Sequence, residues 1–271
     1  MAITNFIPTV WSETLYKELD KQYVAVANCS REFEGDIKNC GSVVKICGVG
    51  EITVSEYTKN TDMSTPQDLS DTVKELTVDR ARYFNFQIDD IDKAQSSPKL
   101  LEQAMNTAAA GLSDEADAYV YSLYGDAGST VTLEGATADN ILDAIIEARQ
   151  KLYESNVNDS SSVVIEVSPA VATLILKAKI LNASDNSAAL EAGCLGNVGG
   201  CKVFVSNNVK NVDGNYKCLV RTKRAIAFAE QLSEIEAFRP EKRFADAIKG
   251  LHLYGAKVIY PKEMVLLNVG I

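Results

Sequence analysis

The residues whose types and spacing could do chemistry are few. The chain has one histidine, His252, in the stretch GLHLYG. A positioned imidazole can act as a general base, but it needs a nucleophile and an orienting acid beside it. No G-x-S-x-G supplies the nucleophile, and a single histidine cannot build a histidine-rich metal site. Alternation puts His252 on the strand face opposite Leu251 and Leu253, which predicts a polar-face or interface histidine. Asp114, Glu115, Ala116 and Asp117 spell DEAD, a helicase motif in other contexts. That chemistry requires a phosphate loop, G-x-x-x-x-G-K-[ST], which this sequence lacks. The four residues also fall inside a helical pattern, so a solvated helix face is expected. Gly193, Gly196, Gly199 and Gly200 precede a strand and follow a helix, the reverse of a dinucleotide fingerprint. Tight turns or close packing fit them better.

The remaining candidates are charges and thiols. Arg221, Lys223, Arg224, Arg239, Lys242 and Arg243 form a basic concentration in an acidic chain. Contact with nucleic acid is one use for them. Intersubunit salt bridges to acidic neighbours such as Asp89, Asp90 and Asp92 are the expected one, because Glu230, Glu234, Glu236 and Glu241 are interleaved and cancel a DNA-attracting field. The six cysteines, at 29, 40, 47, 194, 201 and 218, include no C-x-x-C pair. Reduced, mostly buried thiols are the expectation. No residue is assigned to catalysis, to a cofactor or to a metal.

The elements around these residues are easier to read than any chemistry. Strand-like residues run through Val43, Val44, Ile46, Ile52 and Val54. A polar stretch, TKNTDMSTPQDLSD (58–71), comes next. Alternation resumes at Leu76 and Val78 and continues through Phe84, Phe86 and Ile88. A hairpin over 42–88 with a polar tip is predicted. A lone two-stranded ribbon is marginal in water, so a neighbouring surface must cover it, and an assembly protein is indicated. Residues 96–124 predict a long helix, capped by Ser96 or Ser97 with Pro98 in its first turn. Its apolar stripe is Leu101, Met105, Ala108, Leu112, Ala116, Tyr119, Val120 and Leu123. At 1.5 Å per residue it spans roughly 40 Å. Residues 1–37 predict an arm with a short amphipathic helix on Trp11, Leu15 and Leu19.

Between 136 and 236 the pattern is that of a compact α/β unit. A helix is predicted over 137–154 and a buried strand over 161–169. A helix over 170–181 and a Gly- and Ala-rich loop over 182–200 come next. Strands over 201–207 and 216–222 then flank a turn at Asp213-Gly214. The end of the chain carries two more strands, in GLHLYGAKVIY and MVLLNV.

Composition bounds the class. The chain is 271 residues long, 46% hydrophobic and 24% charged, with a formal net charge of −10. Such composition is ordinary for a globular protein, and the acidity argues against a general nucleic-acid binder. No stretch approaches the roughly 20 apolar residues of a membrane helix. The N-terminus lacks the pattern of a secretory signal, so a cytosolic site of synthesis is expected.

The order of elements, and four stretches, resemble the major capsid protein of tailed bacteriophages, the HK97-like fold. The stretches are FIPTVWSETLYKELDK, VVIEVSPAVATLIL, GNVGGCKVFVSNNV and FADAIKGLHLYGAKVIYPKEMVLLNV. The resemblance implies an α+β fold with an N-terminal arm (1–37) and an extended loop hairpin (38–90). It implies a peripheral domain with a spine helix (91–135 and 237–271) and an axial domain (136–236). The Gly-rich loop would then sit near a five- or six-fold centre. Many members carry a leading scaffolding segment. With an arm starting at Met1 the resemblance implies a separate scaffolding protein or an already mature chain, and the start MAITNF favours the first. Crosslinking between a loop lysine and an asparagine occurs in some members. Lys59 and Asn60 lie in the loop, yet solvation explains them as well, and no residue is assigned to it.

The resemblance implies a structural protein that assembles as pentamers and hexamers around double-stranded DNA. A portal protein would be a further partner, and assembly would take place in the bacterial host cytoplasm to give a virion capsid. An encapsulin-type nanocompartment holding a cargo enzyme is the alternative. A soluble α/β enzyme would instead predict a small oligomer with a deep polar pocket.

Overall fold

The structure, a computed structural model, describes residue 19 and residues 22–33, 43–49, 71–89, 100–159, 162–178, 194–241 and 244–271, with isolated positions between 53 and 68. Three sheets organise it. Strands β1 (Val43–Val49) and β2 (Asp71–Thr77) form an antiparallel ribbon in which Val43 faces Thr77 and Val49 faces Asp71. Strand β3 (Arg80–Asp89) then leaves the ribbon. It pairs antiparallel with β11 (Ala245–Val258), which pairs with β10 (Ile226–Phe238) in the order β10-β11-β3. The predicted hairpin over 42–88 is therefore shorter: its return strand ends at Thr77, and residues 80–89 belong to a second sheet. Val54 lies outside any strand and is 92% exposed.

The third sheet is larger. Strands β4 (Ser129–Leu133), β5 (Val163–Val167), β6 (Cys194–Val198), β7 (Cys201–Val205), β9 (Asn215–Thr222) and β12 (Met264–Gly270) run in the order β4-β12-β9-β5-β7-β6. A short β8 (Asn211–Val212) pairs with β9. The 216–222 strand thus lies beside β5 and β12, and the turn at Asp213-Gly214, both at positive φ, joins β8 to β9. The predicted 182–200 loop contains a strand, β6. It folds back on β7 through Gly199-Gly200, whose φ values of 57° and 86° suit a two-residue hairpin turn. The pairing partner β7 makes the strand, which a period-two search misses because Gly196 interrupts it.

Among the described residues three long helices pack on this frame. The spine, α1 (Leu100–Ser122), has 23 residues and spans about 35 Å. Its buried face is Met105, Ala109, Leu112, Ala116, Val120 and Tyr121. Helix α2 (Ile141–Glu154) buries Ile141, Ala144, Ile145, Ala148 and Leu152. Helix α3 (Pro169–Lys177) starts at Ser168, whose hydroxyl accepts from the Val171 amide, with Pro169 in the first turn. The Ser96, Ser97 and Pro98 cap of the spine lies outside the described residues. So do Trp11 and Leu15 of the arm, whereas Leu19 is fully buried.

One large core joins the three helices, the large sheet and the inner face of β10 and β11. A small second core, formed by Val44, Leu76, Val78, Ala227, Ala229, Leu253 and Ile259, fastens the ribbon to the other face of the same two strands. The approach is close: a Cβ added to Gly255 would lie 2.3 Å from the Thr77 carbonyl oxygen. At this level β11 is covered on both sides.

Candidate functional site: a buried ionic junction and an exposed ribbon

Sequence reasoning placed the charged residues at the surface. The structure gathers several of them inside, around residues 22–30, where Val26–Asn28 form a single 3-10 turn. Arg221, on β9, is fully buried. Its Nε and Nη2 donate to the two oxygens of Glu166, on β5, at 3.0 and 2.9 Å. Its Nη1 donates to the Asn28 carbonyl at 2.6 Å, and Nη2 also donates to the Ala25 carbonyl at 3.0 Å. Two parallel bonds to a carboxylate suit the planar guanidinium. Burial pushes the Glu166 carboxyl up from its ordinary range, against the pull of Arg221. Arg221 is thus neither an intersubunit nor a DNA-facing cation, because all of these partners are within its own chain. Arg224 likewise donates to Glu263 from Nε and Nη2, at 2.8 and 2.5 Å. Lys223 is exposed, and Lys242, Arg243, Asp90 and Asp92 lie outside the described residues.

Asp117 also departs from the expected solvated face. Asp114 and Glu115 are exposed, but Asp117 is only 2% exposed. It accepts from the amides of Val24, Ala25 and Val26 at 2.9, 3.1 and 3.0 Å. Those amides lead into the short turn, and the carboxylate satisfies them from the side of the spine. Burial raises the Asp117 carboxyl, and the three amides partly oppose that.

His252 also departs from the expected polar face. It does lie opposite Leu251 and Leu253, but its face is the inner one and it is fully buried. Alternation reports which residues share a face, and packing decides which face is wet. The His252 Nε2 lies 2.8 Å from a Glu230 oxygen, with Tyr254 tilted against the ring at 5.0 Å. Glu230 also accepts from the Tyr23 hydroxyl at 2.6 Å and from Arg31. Burial pushes the Glu230 carboxyl up, but the bonds and charges from His252, Tyr23 and Arg31 prevail and hold it below its ordinary range.

Cys29, Cys201 and Cys218 are buried free thiols. Burial pushes the Cys29 thiol up to about 11 and Cys218 to about 12, which keeps both protonated and poor nucleophiles. Among the described residues no group of three His, Cys, Asp or Glu could hold a metal ion. Glu166 was missed in the sequence, although an acid in the middle of the buried run VVIEV asks for a partner. Tyr23 and Asn28 carry no comparable mark.

The second feature is the ribbon. Its foot is buried through Val44 and Leu76, while the opposite face presents Val43 and Val73, 47% and 46% exposed. Tyr83, on β3, is 77% exposed. On the ribbon's outer face the two valines flank the exposed pair Lys45 and Glu75, so that face mixes apolar and charged side chains.

The phage capsid protein family matches residues 72–267, well over half of the chain. The chain belongs to that family. It is similar to a chain in the structure of Mycobacterium phage Che8, with 31% identity, 98% of each chain covered and a TM-score of 0.72. It shares a fold with the mature capsid of bacteriophage PhiM1 (15% identity, 84% of this chain and 82% of that one covered, TM-score 0.62). It shares one also with a virus-like particle from Pyrococcus furiosus (10% identity, 94% and 96% covered, TM-score 0.55). No curated protein matches. The protein is an HK97-like major capsid protein, structural and not enzymatic, and a component of the virion capsid. The capsid protein's buried junction ties β5, β9 and the spine to residues 22–30, and its ribbon leaves Val43 and Val73 half exposed.

Proposed function

We propose that this capsid protein assembles as pentamers and hexamers into a closed icosahedral shell around double-stranded DNA. Its working parts are those the resemblance implies: an arm, an extended hairpin, a peripheral part carrying the spine and an axial part, with β4 and β12 joined to the axial strands by pairing. The observation that carries this reading is the ribbon, buried at its foot and exposing Val43 and Val73 beside the Lys45 and Glu75 pair on its outer face. A neighbouring copy covers that face, and closed symmetry repeats the contact around each ring. Many weak contacts add up while each remains reversible, which lets a misplaced subunit leave.

A separate scaffolding protein sets curvature during assembly in the host cytoplasm, and a portal protein occupies one vertex. DNA is held by enclosure, with weak and non-specific contact, since Arg221 and Arg224 are engaged within the chain. Negative-stain electron microscopy of the protein, alone and co-expressed with an adjacent scaffolding gene, tests the assembly. Closed shells or rings of five and six support it, and discrete particles of one to four chains under both conditions overturn it. Nuclease-protected DNA inside shells from infected cells supports the cargo, and shells filled with an enzyme would replace it with the nanocompartment reading.

A further inference from the structure

Residues 22–30 are held by three separate parts of the fold, each through a buried charge. The spine contributes Asp117, which takes three amides of the segment. The large sheet contributes Arg221, which takes the carbonyls of Ala25 and Asn28, while its partner Glu166 takes the Asn28 side chain at 3.4 Å. The three-stranded sheet contributes Glu230, which takes Tyr23 and Arg31. At the end of the segment Ser30 forms a parallel bridge beside β10. Its amide donates to the Ile226 carbonyl and its carbonyl accepts from the Phe228 amide, both at 2.9 Å. Tyr23, Ala25, Val26, Asn28 and Cys29 are buried among these contacts.

We infer that residues 22–30 are a bolt that fixes the spine and the two sheets in one relative orientation, and that its three anchors release together. The charges make release all-or-none. Withdrawing the segment from Arg221 strands a buried guanidinium with one partner in place of three, and withdrawing it from Asp117 strands a buried carboxylate with none of the three amides. A partial withdrawal carries nearly the full desolvation cost and gains little chain freedom. Motion of the axial sheet against the spine, which a shell needs if it changes size, then requires the bolt to open as a unit. This last step rests on the assembly reading, and the cooperative release does not.

The test is amide hydrogen exchange on the full-length, unassembled chain, comparing the wild type with Asp117→Asn and with the milder Tyr23→Phe. Asp117→Asn touches Val24, Ala25 and Val26 directly, but the Phe228 amide belongs to another anchor. Cooperative release predicts that exchange at Phe228 rises about tenfold, together with that at Val24–Val26. Tyr23→Phe, altered at the Glu230 anchor, raises exchange at Val24–Val26 several-fold. Val269→Ala, a cavity at the far end of β12 where the register partners are Leu133 and Tyr216, leaves the difference between these amides and the rest of the core unchanged. Faster exchange at Val24–Val26 with Phe228 unchanged would overturn the bolt and leave three independent contacts. Should Asp117→Asn fail to fold, Tyr23→Phe alone decides: no change at Val24–Val26 overturns the proposal. Shells built from Tyr23→Phe protein should differ from wild type in diameter or in the threshold for changing it. If the wild type forms no shells, the assembly reading falls and the exchange data still judge the bolt.

Discussion

The ionic junction and the ribbon solve opposite problems within one chain. In the junction every charge finds its partner inside the subunit, and Arg221, Glu166 and His252 are closed off from solvent. In the ribbon only one face is closed, by a small cluster at its foot, and Val43 and Val73 face outward. A buried ion pair contributes little net stability against an apolar replacement, but it punishes the loss of either partner. An exposed ribbon face is inexpensive to alter in the monomer and matters when a second copy arrives. The junction closes within the subunit, and the ribbon is the part proposed to meet a neighbouring copy.

The comparison breaks most visibly at Arg221. Arg221→Met leaves Glu166 buried without a cation and two carbonyls without donors, and should lose about 3–5 kcal/mol in urea denaturation. Adding Glu166→Gln to Arg221→Met should recover part of that loss, because the stranded charge is gone. No recovery would mean that packing, and not charge, dominates the site.

Leu76→Ala comes next, with an expected loss of about 2–4 kcal/mol for a fully buried leucine. Its effect should concentrate in the ribbon. Exchange at β1 and β2 amides should accelerate well before the large sheet responds. Gly255→Ala attacks the same foot from below, since its Cβ meets the Thr77 carbonyl, and should cost about 1–3 kcal/mol by thermal melting.

Acid separates the junction's own carboxylates by sign. Glu230 has its folded value lowered, so its contribution is present above the ordinary carboxyl range and is lost as pH falls through the lowered value. Glu166 and Asp117 are raised, so they act in the opposite direction and favour the fold as they take up protons. Glu230→Gln should therefore flatten the acid limb of a stability profile below about pH 4.5. A profile superimposable on wild type would remove Glu230 from the acid response.

The smallest monomer effect is expected at the outer face. Val73→Asp should change subunit stability by about 0.5 kcal/mol or less. Shell yield under the same conditions should fall sharply. Normal shells would move the partner surface away from the ribbon.

How much of this was legible differs between the regions for a physical reason. The ribbon, the spine and the strand-Ser-Pro-helix at 163–177 rest on local periodicity and capping, which neighbouring residues in the sequence carry by themselves. The apolar stripe of 105–120 needed no tertiary information, and the four stretches in order were enough to suggest the family. The junction is different. Arg221 and Glu166 are 55 residues apart, and Asp117 meets amides more than 90 residues away. Charged residues are mostly exposed as a class, so the sequence argued for solvent and the structure chose the interior. The sequence by itself determined most of the elements, the sharing of faces along each strand and the resemblance to the family, but not where the ribbon ends or that 194–198 is a strand. Only the tertiary structure decided which of those faces is dry, because dryness depends on what distant segment arrives to cover it. His252 shows the division: its face followed from alternation, and its burial followed from residues 22–31 closing over β10 and β11.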